Sequence, residues 1–228
     1  MLSRRNFALT AIAGLSAHAT GLAQVRNTPR YSGELILRPL RDGRLMEVQQ
    51  AFGYIDRAGR AWNVPAKAVV DGASIPRVLW PIVGGPWEGR YREASVVHDW
   101  FCAVRTMPWQ QVHRMFHEAM LTSNVTPRVA RLMFLAVRYA GPSWDELTML
   151  NARILTRNGT VRLNPPGLRS SVNGFSSAAE EAEARAGLLD QFNALASEAE
   201  RGGLSAEAME ALVDGMGRAD NVAAMLED

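Results

Sequence analysis

At Asp71 the hydrophobic period of the chain changes from two to about 3.6, and this change constrains the fold more than any other feature. Before it, "YSGELILRPL" and "LMEVQQAFGYI" alternate apolar with polar residues, and "RAWNVPAKAVV" leads up to the switch. After it, Tyr91 to Val104 is apolar on almost every side and Pro108 to Ser123 is amphipathic. Thr126 and Pro127 then offer an N-cap and a first-turn proline to a helix that stops at Gly141-Pro142. Strands followed by a separate run of helices predict an α+β fold. The expected architecture is a small antiparallel β-meander packed on a cluster of three to four helices, plus a C-terminal helical hairpin.

Turn residues set the boundaries. Asp42-Gly43 predicts one hairpin and Asp56-Arg57-Ala58-Gly59 a second turn, with Pro65 at an edge or bulge. Ser74 is expected to cap a short helix carrying Pro76 in its first turn and ended by Gly84-Gly85-Pro86. Residues 151–175 collect Asn, Gly, Pro and Ser without periodicity and read as a linker, with a short hairpin at Asn158-Gly159. Ser177 with Glu180 forms a capping box, and Leu188, Leu189, Phe192, Leu195 and Ala199 make an apolar stripe at helical spacing. Gly202-Gly203 separates it from a second helix with Met209, Leu212, Val213 and Met216. The expected divisions are an export signal over 1–23, a main α+β domain over 24–150, a linker over 151–175 and an acidic helical hairpin over 176–228.

The signal rests on Arg4 and Arg5 followed by an apolar run that begins at Phe7 and is too short to span a membrane. Ser3-Arg4-Arg5-Asn6-Phe7 resembles the twin-arginine pattern, which implies a periplasmic destination, cleavage near Gln24 and no transmembrane span thereafter. Cys102 is the single cysteine, so the fold has to hold without an internal disulfide.

Charge divides the chain sharply. Residues 24–175 hold 20 Lys+Arg against 11 Asp+Glu, a formal +9, while 176–228 hold 3 against 12, a formal −9. The balance of zero after signal removal argues against a nucleic-acid partner. The opposed halves, with the apolar stripe, predict either docking of the hairpin on the body or self-association through it.

Three of the four histidines, His98, His113 and His117, fall within twenty residues on adjacent predicted helices. His98 lies in the middle of a buried stripe, where an imidazole has to be paired. His113 and His117, spaced i and i+4, line one helix edge and can share a divalent ion such as zinc, although Arg114 stands where a zinc protease helix has glutamate. The expected metal ligands are therefore His98, His113 and His117, with Asp71, His98 and Asp99 as the catalytic candidates. The plain alternative is a hydrogen-bonded core histidine and a solvated helix edge. Trp87, in "GGPWEG", is the tryptophan expected to be partly exposed.

Val64-Pro65, Asp71-Gly-Ala-Ser-Ile-Pro76 and His98-Asp99 together resemble the domain of unknown function 1353 family of bacteria and phages, over roughly Tyr31 to Gly141. The resemblance implies a shared fold and no defined activity. Lys67 stands where that family usually has glycine, and His113 where an acidic residue is common. Two functions follow as expectations: a metal-dependent hydrolase of a cell-envelope polymer or peptide, or a non-catalytic binding or assembly module whose partner is an envelope polymer or protein.

Replacing Arg4 and Arg5 by lysine is predicted to strand the precursor in the cytoplasm, because the transporter reads the pair as an address rather than as charge. Fractionation checks this, and normal periplasmic accumulation of the double variant would point to the general secretory route.

Overall fold

In a computed structural model of the chain, the described residues are 27–41, 45–72, 74–85, 87, 89–157, 177–219 and 222. The expected signal and the hairpin expected at Asn158-Gly159 lie outside them.

The strands form two three-stranded antiparallel sheets rather than one meander. β1 (Arg30–Ser32), β4 (Phe52–Ile55) and β5 (Ala61–Val64) pair in the order β1-β4-β5; β2 (Leu37–Pro39), β3 (Met46–Val48) and β6 (Val69–Val70) pair in the order β2-β3-β6. β2 and β3 pair antiparallel as the first hairpin requires, with Leu40 N–H donating to the Leu45 carbonyl at 2.9 Å, while the Asp42-Gly43 turn itself lies outside the described residues. In the second, Gly59, at φ +82°, closes onto the Asp56 carbonyl at 2.8 Å. The α+β class with antiparallel strands is as expected, and only the strand order departs from a meander, because β1 skips the β2–β3 hairpin to pair with β4, with Tyr31 opposite Tyr54. The gain is an aromatic face. Tyr54 and Trp62, cross-strand partners, are both buried, and the Tyr31 and Tyr54 hydroxyls reach Ala119 and Glu118.

The helices follow as expected through the middle of the chain. A 3-10 turn at Arg77–Leu79 runs into α1 (Trp80–Val83), which Gly84 ends at φ +101°. α2 (Arg92–Val104), α3 (Trp109–Thr122) and α4 (Pro127–Ala140) come next, and the Thr126 side chain caps α4 by accepting from Val129 N–H. α2 is buried on nearly every side because sheet residues, α3 and the 3-10 turn at Gly89–Tyr91 all pack on it. α5 (Glu146–Arg157) was not expected; it occupies the start of the segment read as a linker and shows Leu147, Leu150 and Ile154 to solvent.

α6 (Ala178–Gly202) and α7 (Ala206–Met216) are capped by Ser177 and Ser205 and pack on α4. Leu188, Phe192, Leu195, Ala199, Met209 and Val213 are buried in the same core as the body. The acidic hairpin is docked, and Arg114–Glu210, Arg128–Glu200 and Arg138–Asp214 ion pairs join it to the basic body. No helix among the described residues is long and apolar enough to cross a membrane.

Lys67 sits between Val48 and Ala68 in the ladder at φ +69°, a left-handed conformation that carries a cost of about 1 kcal/mol for a residue with a Cβ. This explains why glycine suits the position. Lys67→Gly should raise stability by about 0.5–1 kcal/mol, since the Lys67–Glu47 contact that it removes is exposed. Urea denaturation reads the change; a lower midpoint at unchanged slope would mean that the ion pair outweighs the backbone strain.

Candidate functional site

The Asp71–Pro76 turn is explained by one acceptor. Asp99, buried on α2, takes the Asp71 backbone N–H at 2.8 Å and the Ser74 hydroxyl at 2.6 Å. Ser74 therefore does not cap a helix, as the sequence led us to expect. It stands at φ +53°, held in a left-handed turn, while the 3-10 turn that follows has Pro76 at its N-cap without a side-chain cap. Desolvation and the neighbouring Asp71 carboxylate hold the Asp99 carboxyl well above the usual carboxylate range, although the two donors favour its ionised form. Asp71 is itself buried.

On α2, His98 and Cys102 lie one turn apart, i and i+4, and α3 lays His113 against them. His98 Nε2 and His113 Nδ1 are 2.8 Å apart, and Cys102 Sγ is 3.6 Å from His98 Nε2. His113 Nε2 lies 3.1 Å from the Pro142 carbonyl oxygen. A carbonyl only accepts, so His113 Nε2 carries the proton and Nδ1 presents its lone pair to a proton on His98 Nε2. Burial first, and then the neighbouring His98 and the Arg218 and Arg138 charges, push the His113 pKa well below its usual value, which keeps the ring neutral.

These three side chains form a donor set that can hold a metal ion, their ligand atoms all within 4.8 Å of one another. The fit to zinc can be tested by distance. With bonds of about 2.3 Å to sulfur and 2.0–2.1 Å to nitrogen, a tetrahedral site separates sulfur from nitrogen by about 3.5 Å and two nitrogens by about 3.3 Å. The 3.6 Å Cys102–His98 spacing matches, and the 2.8 Å His98–His113 spacing has to open by about half an ångström. The Pro142 carbonyl already anchors the far nitrogen of His113, as backbone carbonyls orient metal-ligating imidazoles.

The structure does not bring His117 into this group. Its half-buried ring faces Phe134 on α4, 5.2 Å between centroids, because one further turn along α3 points toward α4 instead of α2. Cys102 replaces it. The sequence signal was present as the i,i+4 spacing from His98, and was passed over because a single cysteine was weighed only as a disulfide partner. Of the proposed catalytic residues, Asp71 and Asp99 meet at the turn, while His98 faces His113. Trp87 is half-buried, as expected.

Comparison with known proteins adds a family match over part of the chain. Residues 46–137 match a family described as "Protein of unknown function (DUF1353)". That stretch runs from β3 into α4 and contains Asp71, Ser74, His98, Asp99, Cys102, His113 and His117. The chain is 44% identical over 96 residues to "Uncharacterized protein y4iH" of Sinorhizobium fredii, 42% of this chain and 40% of that protein. It is 34% identical over 157 residues to "Uncharacterized protein y4jT" of the same organism, 67% of this chain and 47% of that protein. The chain thus spans less than half the length of either curated relative. No solved structure matches it.

His117 supplies a test by pH. Burial and the Arg131 charge lower its pKa from 6.5 to about 4, so the folded state prefers the neutral ring. The unfolded chain then binds the proton more tightly, and stability that is complete above pH 6.5 falls as the pH drops toward 4. The loss should reach at most about 3 kcal/mol, and His117→Gln should flatten the stability–pH curve over this window. An equally steep loss in the variant would assign the acid sensitivity to other groups.

Proposed function

We propose that the chain is an exported, non-catalytic binding or assembly module of the cell envelope whose core is clamped by one zinc or similar divalent ion on His98, Cys102 and His113. Burial carries this reading. His98 and His113 are 0% exposed and Cys102 5%, so an ion there has no face open to a polymer and acts on the fold. The partner is an envelope polymer or protein. One surface suited to it is the open concavity of about 540 Å³ lined by Ser32, Gly33, Ala51, Phe52, Asn63, Val64 and Pro65 on the β1-β4-β5 sheet. The periplasmic destination is supported by the Arg4-Arg5 signal.

One observation favours the hydrolase reading instead. Asp99, with its raised pKa beside Asp71, is a carboxyl biased to keep its proton, as a general acid does, and the half-buried Ser74 adjoins it. In that reading Asp71, His98 and Asp99 carry the chemistry on an envelope polymer or peptide.

Metal content of protein purified without a histidine tag tests the clamp. We expect one zinc or similar ion per chain, lost in Cys102→Ser and His113→Ala and kept in His117→Ala. Loading displaces the thiol proton, so affinity should rise about tenfold per pH unit below the thiol pKa. A metal-free protein whose melting temperature ignores chelator overturns the clamp. Release of fragments from purified cell-wall material, abolished by Asp99→Asn, would replace the module with the hydrolase.

A further inference from the structure

On its His113 side the donor group is covered by residues of α3, α4 and the segment after α7, of which Arg138 and Arg218 lie outside the family-matched stretch. Trp109, at the start of α3, packs edge-on against the His113 ring, 5.4 Å between centroids. The guanidinium carbons of Arg138 and Arg218 stand 4.3 Å and 4.2 Å from the Trp109 ring centroid. Arg138 comes from α4 and is itself buried. Arg218 comes from the chain just beyond α7.

That segment is hooked to α4 by groups that a helix C-terminus leaves unpaired. Arg218 donates from Nη1 to the Arg138 carbonyl and from Nη2 to the Gly141 carbonyl at 2.8 Å, and Ala219 N–H donates to the Tyr139 carbonyl at 2.8 Å. The next residue after Gly141 is Pro142, whose carbonyl holds His113. The strap therefore fixes both the indole that covers His113 and the loop that orients it. Its directional anchors are polar, Arg218 to carbonyls and, behind it on α7, Asp214 to Arg138 and Glu210 to Arg114, while Ala219 and Val222 add only partly buried apolar contact with the core. The polar anchors release at lower cost than a fully buried apolar seam, and salt weakens the ion pairs among them.

We propose that Gly217–Ala219, latched by Arg218, is a releasable strap that controls access to the His98–Cys102–His113 group from the Trp109 side. This deepens the metal-clamp reading by giving the ion a route. Opening requires Arg218 to leave the α4 C-terminus, which frees Trp109 to swing from His113, while α6 stays seated through Leu188, Phe192 and Leu195.

The test uses the full chain, stripped of metal with chelator, and follows alkylation of Cys102 by iodoacetamide, so it does not depend on whether an ion is bound. Arg218→Ala should speed alkylation about tenfold or more, because it removes two charge-assisted hydrogen bonds and a cation–π contact. Raised salt should speed the unaltered chain as well. Tyr31→Phe, which loses its hydroxyl contacts with Ala119 and Ser123 at the other end of α3, controls for general loosening. Under the strap, the faster rate in Arg218→Ala is flat in low urea, as local opening is, and Tyr31→Phe is not accelerated in that way. An unchanged rate in Arg218→Ala overturns the proposal. So does acceleration that rises with urea equally in both variants, since access then comes from global unfolding. If the protein proves metal-free while Arg218→Ala still opens Cys102, the clamp fails and the strap stands.

Discussion

The buried carboxyl group of Asp99 is the contact on which the arrangement of the domain depends. It ties the end of β6 to α2 by accepting from Asp71 N–H and the Ser74 hydroxyl, and it does so inside the core, where each lost partner would leave a desolvated oxygen. Residues one apart on a helix point about 100° apart. Pinning Asp99 to the turn therefore fixes the rotation of α2, and with it the direction of His98 toward α3 and of Cys102 one turn on. The Asp-Gly-Ala-Ser-Ile-Pro turn and the His-Asp pair are one structural device. The turn supplies donors, and the helix supplies the acceptor and the imidazole.

The second constraint is the charge division. Arg138 is buried with its guanidinium against Trp109, and its carboxylate partner, Asp214, is largely exposed. An exposed partner contributes little Coulomb energy, so the indole face supplies much of what the buried cation needs. The apolar stripe of the hairpin carries most of the docking, and the ion pairs set its register on α3 and α4. This is why a −9 segment and a +9 segment become one core rather than a body with a tethered tail.

Much of this was legible in the sequence. The period change at Asp71, the Thr126-Pro127 cap, Gly141 and the Ser177 cap each act locally, through backbone hydrogen bonds within a few residues, and each is found where expected. What depended on distant partners was not legible. The β1-β4 pairing crosses the β2–β3 hairpin, and no local signal distinguishes that from a meander. Ser74 carries the residue type of a cap, but a carboxylate brought from α2 wins its hydroxyl. His117 and His113 share a helix edge on a wheel, yet α2 and α4 pack on either side of that edge and separate them. Lys67 was legible only as a departure from the family pattern; its positive φ supplies the physical meaning.

The donor group also differs from metal sites that must be filled before a chain can fold. Without an ion, His98 donates to His113, His113 donates to the Pro142 carbonyl and Cys102 lies beside His98, so the imidazoles are paired in the closed core. An ion held by His98, Cys102 and His113 would take the place of the His98–His113 hydrogen bond, with the His98 proton on its other nitrogen and the thiol proton released to solvent. The stabilisation an ion would give is the difference between two satisfied states, smaller than in a domain whose apo form leaves its ligands in water. Were such a core to take an ion after closing, the wall of the site, Trp109 and the segment that holds it, would set the rate of loading.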